Sequence, residues 1–150
     1  MAISEHIQKI ICQIDQGSAT KVALGSSLLN AEEVQAIATA LSNNKTVTSL
    51  DLIGNKLGDE GAKQIAAALK TNNTITKVKI GGNRIGDAGA KEIAYALRDN
   101  KTIKSLELEY NFIGEMGAKE IATALENNST LEKIYLTNNQ LGDVGVEAIA

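Results

Sequence analysis

The sequence predicts an α/β solenoid, a horseshoe segment with parallel strands on its concave face and α-helices on its convex face. Three observations predict it. The twenty-eight residues LDLIGNKLGDEGAKQIAAALKTNNTITK, Leu50 to Lys77, are followed by near-copies over Val78–Ser105 and Leu106–Lys133, and a partial copy starts at Ile134. Each copy carries a two-residue apolar period and then a helical one. Neither half can bury its apolar face alone, so the copies must stack.

The elements follow in order. Ile3, Ile7, Ile10, Ile11 and Ile14 share one helical face, so residues 3–15 are expected to form an N-terminal capping helix over the first repeat. Cys12, beside that face, is expected to be packed. Repeats begin near residues 22, 50, 78, 106 and 134, within one domain spanning 1–150. Val22/Leu24, Leu50/Leu52, Val78/Ile80, Leu106/Leu108 and Ile134/Leu136 alternate with other residues as short strands require. Ala62, Ile65, Ala66 and Leu69 then form a buried helical stripe, matched by Ala90, Ile93, Ala94, Leu97 and by Ala118, Ile121, Ala122, Leu125. Lys63, Gln64 and Lys70 lie off the stripe and should face water.

Asp59 is expected to cap the helix that starts beside it, with Asp87, Glu115 and Asp143 in the same place. Asn72-Asn73 should close that helix through a left-handed turn. Strands about 4.8 Å apart and helices about 10 Å wide force the stack to curve, strands inward. Asn55, Asn83, Asn111 and Asn139 recur three residues after the second strand position, with Ser27 in the first unit. There they are expected to form a ladder that satisfies the backbone where strand pairing ends, since an unpaired buried amide costs about 1–3 kcal/mol.

Composition narrows the function. With one Phe, three Tyr and no Trp, the core must be aliphatic. A net charge of −3 and a pI near 5.2 argue against nucleic acid or an anionic membrane as the main target. The single Cys12 permits no internal disulfide, and the N-terminus lacks the basic and apolar regions of a signal peptide. The expected compartment is therefore cytoplasmic and reducing, with export as a bacterial effector left open.

The segment VTSLDLIGNKL, Val47 to Leu57, matches L-x-x-L-x-L-x-x-N-x-L, and GDEGAKQIAAALKTNNT after it is a long helical half. Over residues 19–150 the chain resembles leucine-rich repeat proteins of the ribonuclease-inhibitor type, with 28-residue repeats. The resemblance implies a binding scaffold, as in ribonuclease inhibitor, NOD-like receptors, Ran GTPase activators and bacterial effectors. This chain uses Asn at the ladder where ribonuclease inhibitor often has Cys, and it carries no match to those proteins' partner-contacting residues, so no specific activity transfers.

Strand residues that point away from the core form columns on the concave face: Lys21, Ser49, Lys77, Ser105, Lys133; then Ala23, Asp51, Lys79, Glu107, Tyr135; then Gly25, Ile53, Gly81, Glu109, Thr137. Aromatic residues beside charges characterise partner-binding patches. Asp51, Lys79, Glu107, Glu109, Tyr110, Lys133 and Tyr135 are accordingly the candidate protein-binding residues, against the alternative of scattered surface side chains. The Asn-x-Ser/Thr triplets at Asn44, Asn72, Asn100 and Asn128 recur at the repeat period and read as helix-to-strand turn chemistry rather than glycosylation sites. GGNRIGDAG lacks the Lys-Ser/Thr of a phosphate loop, His6 has no neighbour at metal-ligand spacing, and Glu107/Glu109 lie on an open surface. No enzyme activity, cofactor or metal is expected. The last copy stops within its helix, so the expectation is a longer array cut short, able to self-associate through that end. The two functional readings are a protein-interaction module, part of a sensor, regulator or effector, and a structural or designed scaffold without a natural ligand. A fragment resembling a GTPase regulator is a further alternative to the first.

Overall fold

The computed structural model describes residues 2–143 and 145. Among the described residues, five helices of defined bounds alternate with five three-residue strands: α1 Glu5–Asp15, β1 Lys21–Ala23, α2 Ala31–Ser42, β2 Ser49–Asp51, α3 Gly58–Thr71, β3 Lys77–Lys79, α4 Asp87–Asp99, β4 Ser105–Glu107, α5 Glu115–Glu126 and β5 Lys133–Tyr135. The strands form one parallel sheet in the order β1-β2-β3-β4-β5. Val22, Leu50, Val78, Leu106 and Ile134 pair in register. This is the α/β leucine-rich repeat solenoid.

The middle residue of each strand points into the core, and the buried stripe Ala62, Ile65, Ala66, Leu69 of α3 meets it from the other side. Ala90, Ile93, Ala94 and Leu97 do the same from α4. Consecutive helices therefore pack only on their sequence neighbours, as a stack requires. The N-terminal helix spans Glu5–Asp15, and Ser4 accepts from the Ile7 N–H as its N-cap. It buries Ile7 and Ile14 in the common core, while Cys12 is exposed rather than packed.

Two asparagine ladders run along the array. The Oδ1 of Asn83 accepts from the N–H groups of Asn55 (2.8 Å) and Leu57 (3.3 Å) in the preceding repeat, and its Nδ2 donates to Leu52 O (2.9 Å) and Gly81 O (3.0 Å). Asn55 and Asn111 make equivalent bonds, and Asn139 Oδ1 accepts from the Ile113 N–H at 3.0 Å. At Ser27 only the backbone N–H takes part, donating to Asn55 Oδ1 at 3.1 Å. The second ladder is Asn44, Asn72, Asn100 and Asn128. Asn72 Nδ2 donates to Leu41 O at 2.8 Å, and its Oδ1 accepts from the Thr74 (2.9 Å) and Ile75 (2.8 Å) N–H groups. Asn72 is extended, at φ −74° and ψ 134°, and not left-handed: holding two forward amides leaves its own backbone in the strand region.

Two further expectations are corrected. Asp59 does not cap its own helix, which starts at Gly58 with no side-chain cap; its Oδ1 instead accepts from Gly86 (2.7 Å) and Gly89 (2.9 Å) at the start of α4. Asp87 repeats this on Gly114 (2.8 Å) and Gly117 (2.9 Å). Gln64 is half-buried between helices rather than in water, and its Oε1 has no hydrogen-bond partner. The terminal helix expected after Asp143 lies mostly outside the described residues.

Candidate functional site

Strand geometry determines which side chains reach solvent on the sheet face. With Leu106 and Ile134 turned into the array, Glu107 and Tyr135 project from the opposite face as paired neighbours. Asp51 and Lys79 are paired in the same column, and Ser105 faces Lys133 in the next. Lys79, Glu107, Lys133 and Tyr135 therefore come together on β3, β4 and β5. Asp51, two strands away from Glu107, spends one carboxylate oxygen on the Ile53 N–H at 3.0 Å. That bond fixes the side chain over its own loop.

The charges in this patch are unevenly matched. Lys77 Nζ lies 3.8 Å from Glu107 Oε1, the lysine 45% and the carboxylate 19% exposed. An ion pair this open to water contributes at most about 1 kcal/mol. Among the described residues, Lys79, Arg84 and Lys133 have no carboxylate at ion-pair distance. The aromatic groups are open: Tyr135 is 40% exposed and Tyr110 68%. Phe112 is 54% and Met116 63% exposed, on the loop from β4 and the first turn of α5. The remaining tyrosine, Tyr95, lies on α4 with Lys91 and Arg98 less than 6 Å from its ring centre.

Tyr110 takes the left-handed backbone that its place in the repeat imposes. The residue before each ladder position is left-handed: Ser26 (φ 53°), Gly54 (71°), Gly82 (64°), Tyr110 (56°) and Asn138 (58°). A residue with a Cβ loses about 1–2 kcal/mol in that conformation. Met116 carries no signal in the sequence, whereas Phe112, just past the strand, is legible there with Tyr110 and Tyr135 as one of three aromatic residues at the C-terminal end of the inner surface, in a column with Leu28, Lys56, Arg84 and Gln140.

The arrangement is suited to contact rather than to chemistry. No group of three or more His, Cys, Asp or Glu side chains able to hold a metal is present among the described residues. None of their helices is long and apolar enough to cross a membrane.

The model of the TMOD/LMOD leucine-rich domain matches residues 62–148, and a general leucine-rich repeat model matches residues 43–66. The solved structure of leiomodin-1 actin-binding site 2 is 26% identical, with a TM-score of 0.85, and the alignment covers 99% of this chain and 89% of that one. The tropomodulin C-terminal domain of Caenorhabditis elegans is 12% identical with a TM-score of 0.83, covering 95% and 88% of the two chains, which shows a shared fold. No curated protein sequence matches. These relatives are leucine-rich repeat domains and not enzymes. With more than half its length matched by that family's model, the chain belongs to the TMOD/LMOD leucine-rich domain family.

Proposed function

We propose that this chain is a protein-interaction module whose partner is actin, bound through the strand face that carries Asp51, Lys79, Glu107, Glu109, Tyr110, Lys133 and Tyr135. The observation that carries the partner is the likeness, over almost the whole chain, to leiomodin-1 actin-binding site 2. The exposed tyrosines and unpaired lysines support the choice of face, because aromatic and charged groups open to water offer contact area and orientation. A cytoplasmic setting goes with such a partner. The 28-residue spacing of the ladder bonds supports placing the repeats in the ribonuclease-inhibitor-like type.

Titration of fluorescently labelled actin monomer with the purified chain tests the reading. Saturable one-to-one binding is expected, and absence of binding would remove actin as the partner. Light scattering on the chain alone tests whether the edge strand β5 pairs two copies, which would appear as a concentration-dependent mass.

A further inference from the structure

Two independent observations meet at the loop from β4 to α5. The first concerns a side chain that its backbone does not favour. Gly54 and Gly82 fill the left-handed position of the second and third repeats and Asn138 that of the fifth, and these residue types accept it readily. The fourth repeat places Tyr110 there, at φ 56°. Its ring is 68% exposed, so little core packing offsets the strain. Leu28, Lys56 and Arg84, one position after the ladder residue of their repeats, are left-handed as well, so what sets Tyr110 apart is an aromatic ring held open to water on such a backbone. Phe112 and Met116 follow it in the same segment from β4 into α5, both more than half exposed. The Phe112 N–H donates to Ile85 O at 2.8 Å, which seats the phenylalanine next to the loop that carries Arg84.

The second observation concerns charge. Strands and loops between Gln16 and Leu141 carry nine Lys and Arg against four Asp and Glu, whereas helices α1–α5 carry six against twelve. An acidic chain thus carries its excess of positive charge on strands and loops and its negative charge on the helices. On the strands and loops Glu107 faces Lys77, while Lys79, Arg84 and Lys133 are left without carboxylate partners among the described residues. A protein surface meeting them gains most by being acidic.

We infer that Tyr110, Phe112 and Met116 form an apolar anchor that enters a pocket on an acidic protein surface, with Lys79, Arg84 and Lys133 meeting the carboxylates around that pocket. The inference rests on the actin-binding reading and names the anchor and the chemistry of the face it docks to. A nucleic acid is the less suitable occupant, since Glu107 and Glu109 lie within the same patch and would repel phosphate.

The test compares the wild-type chain with Tyr110→Gly, Phe112→Ser and Lys79→Glu/Lys133→Glu, using labelled actin held monomeric as the probe. Tyr110→Gly should melt no lower than wild type, because it relieves the left-handed strain, yet bind about tenfold or more weakly. Phe112→Ser and the charge reversal should weaken binding similarly, and wild-type affinity should fall severalfold between roughly 50 and 200 mM salt. If wild type binds actin while Tyr110→Gly and Phe112→Ser bind equally well, the anchor is overturned and the actin reading stands. If affinity is insensitive to salt and to charge reversal, the acidic partner surface is overturned. A wild-type chain that binds no actin overturns both readings, and tight binding of single-stranded DNA instead would replace the protein partner with a nucleic acid.

Discussion

The Oδ1 of Asp59 lies 2.9 Å from the amide nitrogen of Gly89, so an aspartate at the start of one helix caps the helix of the next repeat. The glycine is what makes room. A Cβ built at Gly89 would sit 2.8 Å from that Oδ1, 2.7 Å from Ile85 Cγ2 and 3.0 Å from Ala62 Cβ. The α3–α4 pair is thereby bolted at one polar contact that tolerates no added methyl, and Asp87 with Gly117 repeats it between α4 and α5.

Gly89→Ala is expected to destabilise the array despite alanine's better helix propensity. Propensity favours alanine by about 1 kcal/mol. Overpacking costs about 1–3 kcal/mol, and displacing Asp59 forfeits a cap worth about 1 kcal/mol more. Asp59→Ala alone should cost about 0.5–2 kcal/mol. The double variant should lose less than the sum, because both changes break the same contact. Urea denaturation of the three variants measures this, and strict additivity would argue that Gly89 and Asp59 act separately.

The asparagine ladders should carry stability that exposed lysines do not. Asn83 is fully buried and holds amides and carbonyls of two repeats. Asn83→Ala should therefore cost about 1–3 kcal/mol, and Asn72→Ala a similar amount for the same reason. Exposed Lys63→Ala should stay within about 0.5 kcal/mol. Equal losses in denaturant melts would show that the ladders are incidental.

Much of this architecture was legible because the repeat writes it several times. Strand register, the helical stripe and the Asn83 column all follow from residues that recur at one spacing and obey one period. The Asn72 column recurs just as strictly, but its turn-like residues resemble ordinary loop chemistry, and only the coordinates reveal a ladder. The role of Asp59 is hidden from a local reading, because helix-start signals are local whereas its carboxylate reaches across to the next repeat. Cys12 illustrates the limit of a helical period: it lies one position beyond the apolar face and turns to water. The candidate patch was half legible. Column arithmetic located Tyr135 and Lys79, but the exposure of Phe112 and Met116 depends on how the β4–α5 loop seats against its neighbours.

Tyr135 should be a binding residue and not a stabilising one. It flanks Glu107 on the last strand and is 40% exposed, so truncating it removes little core packing. A tyrosine ring offers large contact area with few rotatable bonds to immobilise. Tyr135→Ala is expected to weaken actin binding by about 2 kcal/mol or more, with an unchanged melting temperature. Lys63→Ala and Lys70→Ala, on the helical side, should bind like wild type. Loss of binding confined to the lysine variants would place the contact on the helices.

The N-terminal helix should loosen in acid, and Glu33 should be the reason. Glu33 is buried at the start of α2, where its carboxylate accepts from the Ser4 N–H at 2.9 Å and from the Asn30 N–H at 3.0 Å. The Ser4 bond is the main cause holding its pKa below the ordinary 4.5, with burial opposing and the Asn30 bond assisting. A carboxylate whose pKa is lowered on folding contributes stability above pH 4.5 and loses it as the pH falls through the folded value. Because Ser4 caps α1 and precedes Ile7, protonating Glu33 frees the cap residue of the helix that covers the first repeat. Wild type should therefore lose hydrogen-exchange protection in residues 5–15 below about pH 4.5, before β3 and β4 lose theirs. Glu33→Gln keeps one acceptor and cannot titrate, so its α1 should be less protected at neutral pH and should show a smaller change on acidification. If both proteins lose α1 protection in parallel, some other carboxylate governs the docking of the helix.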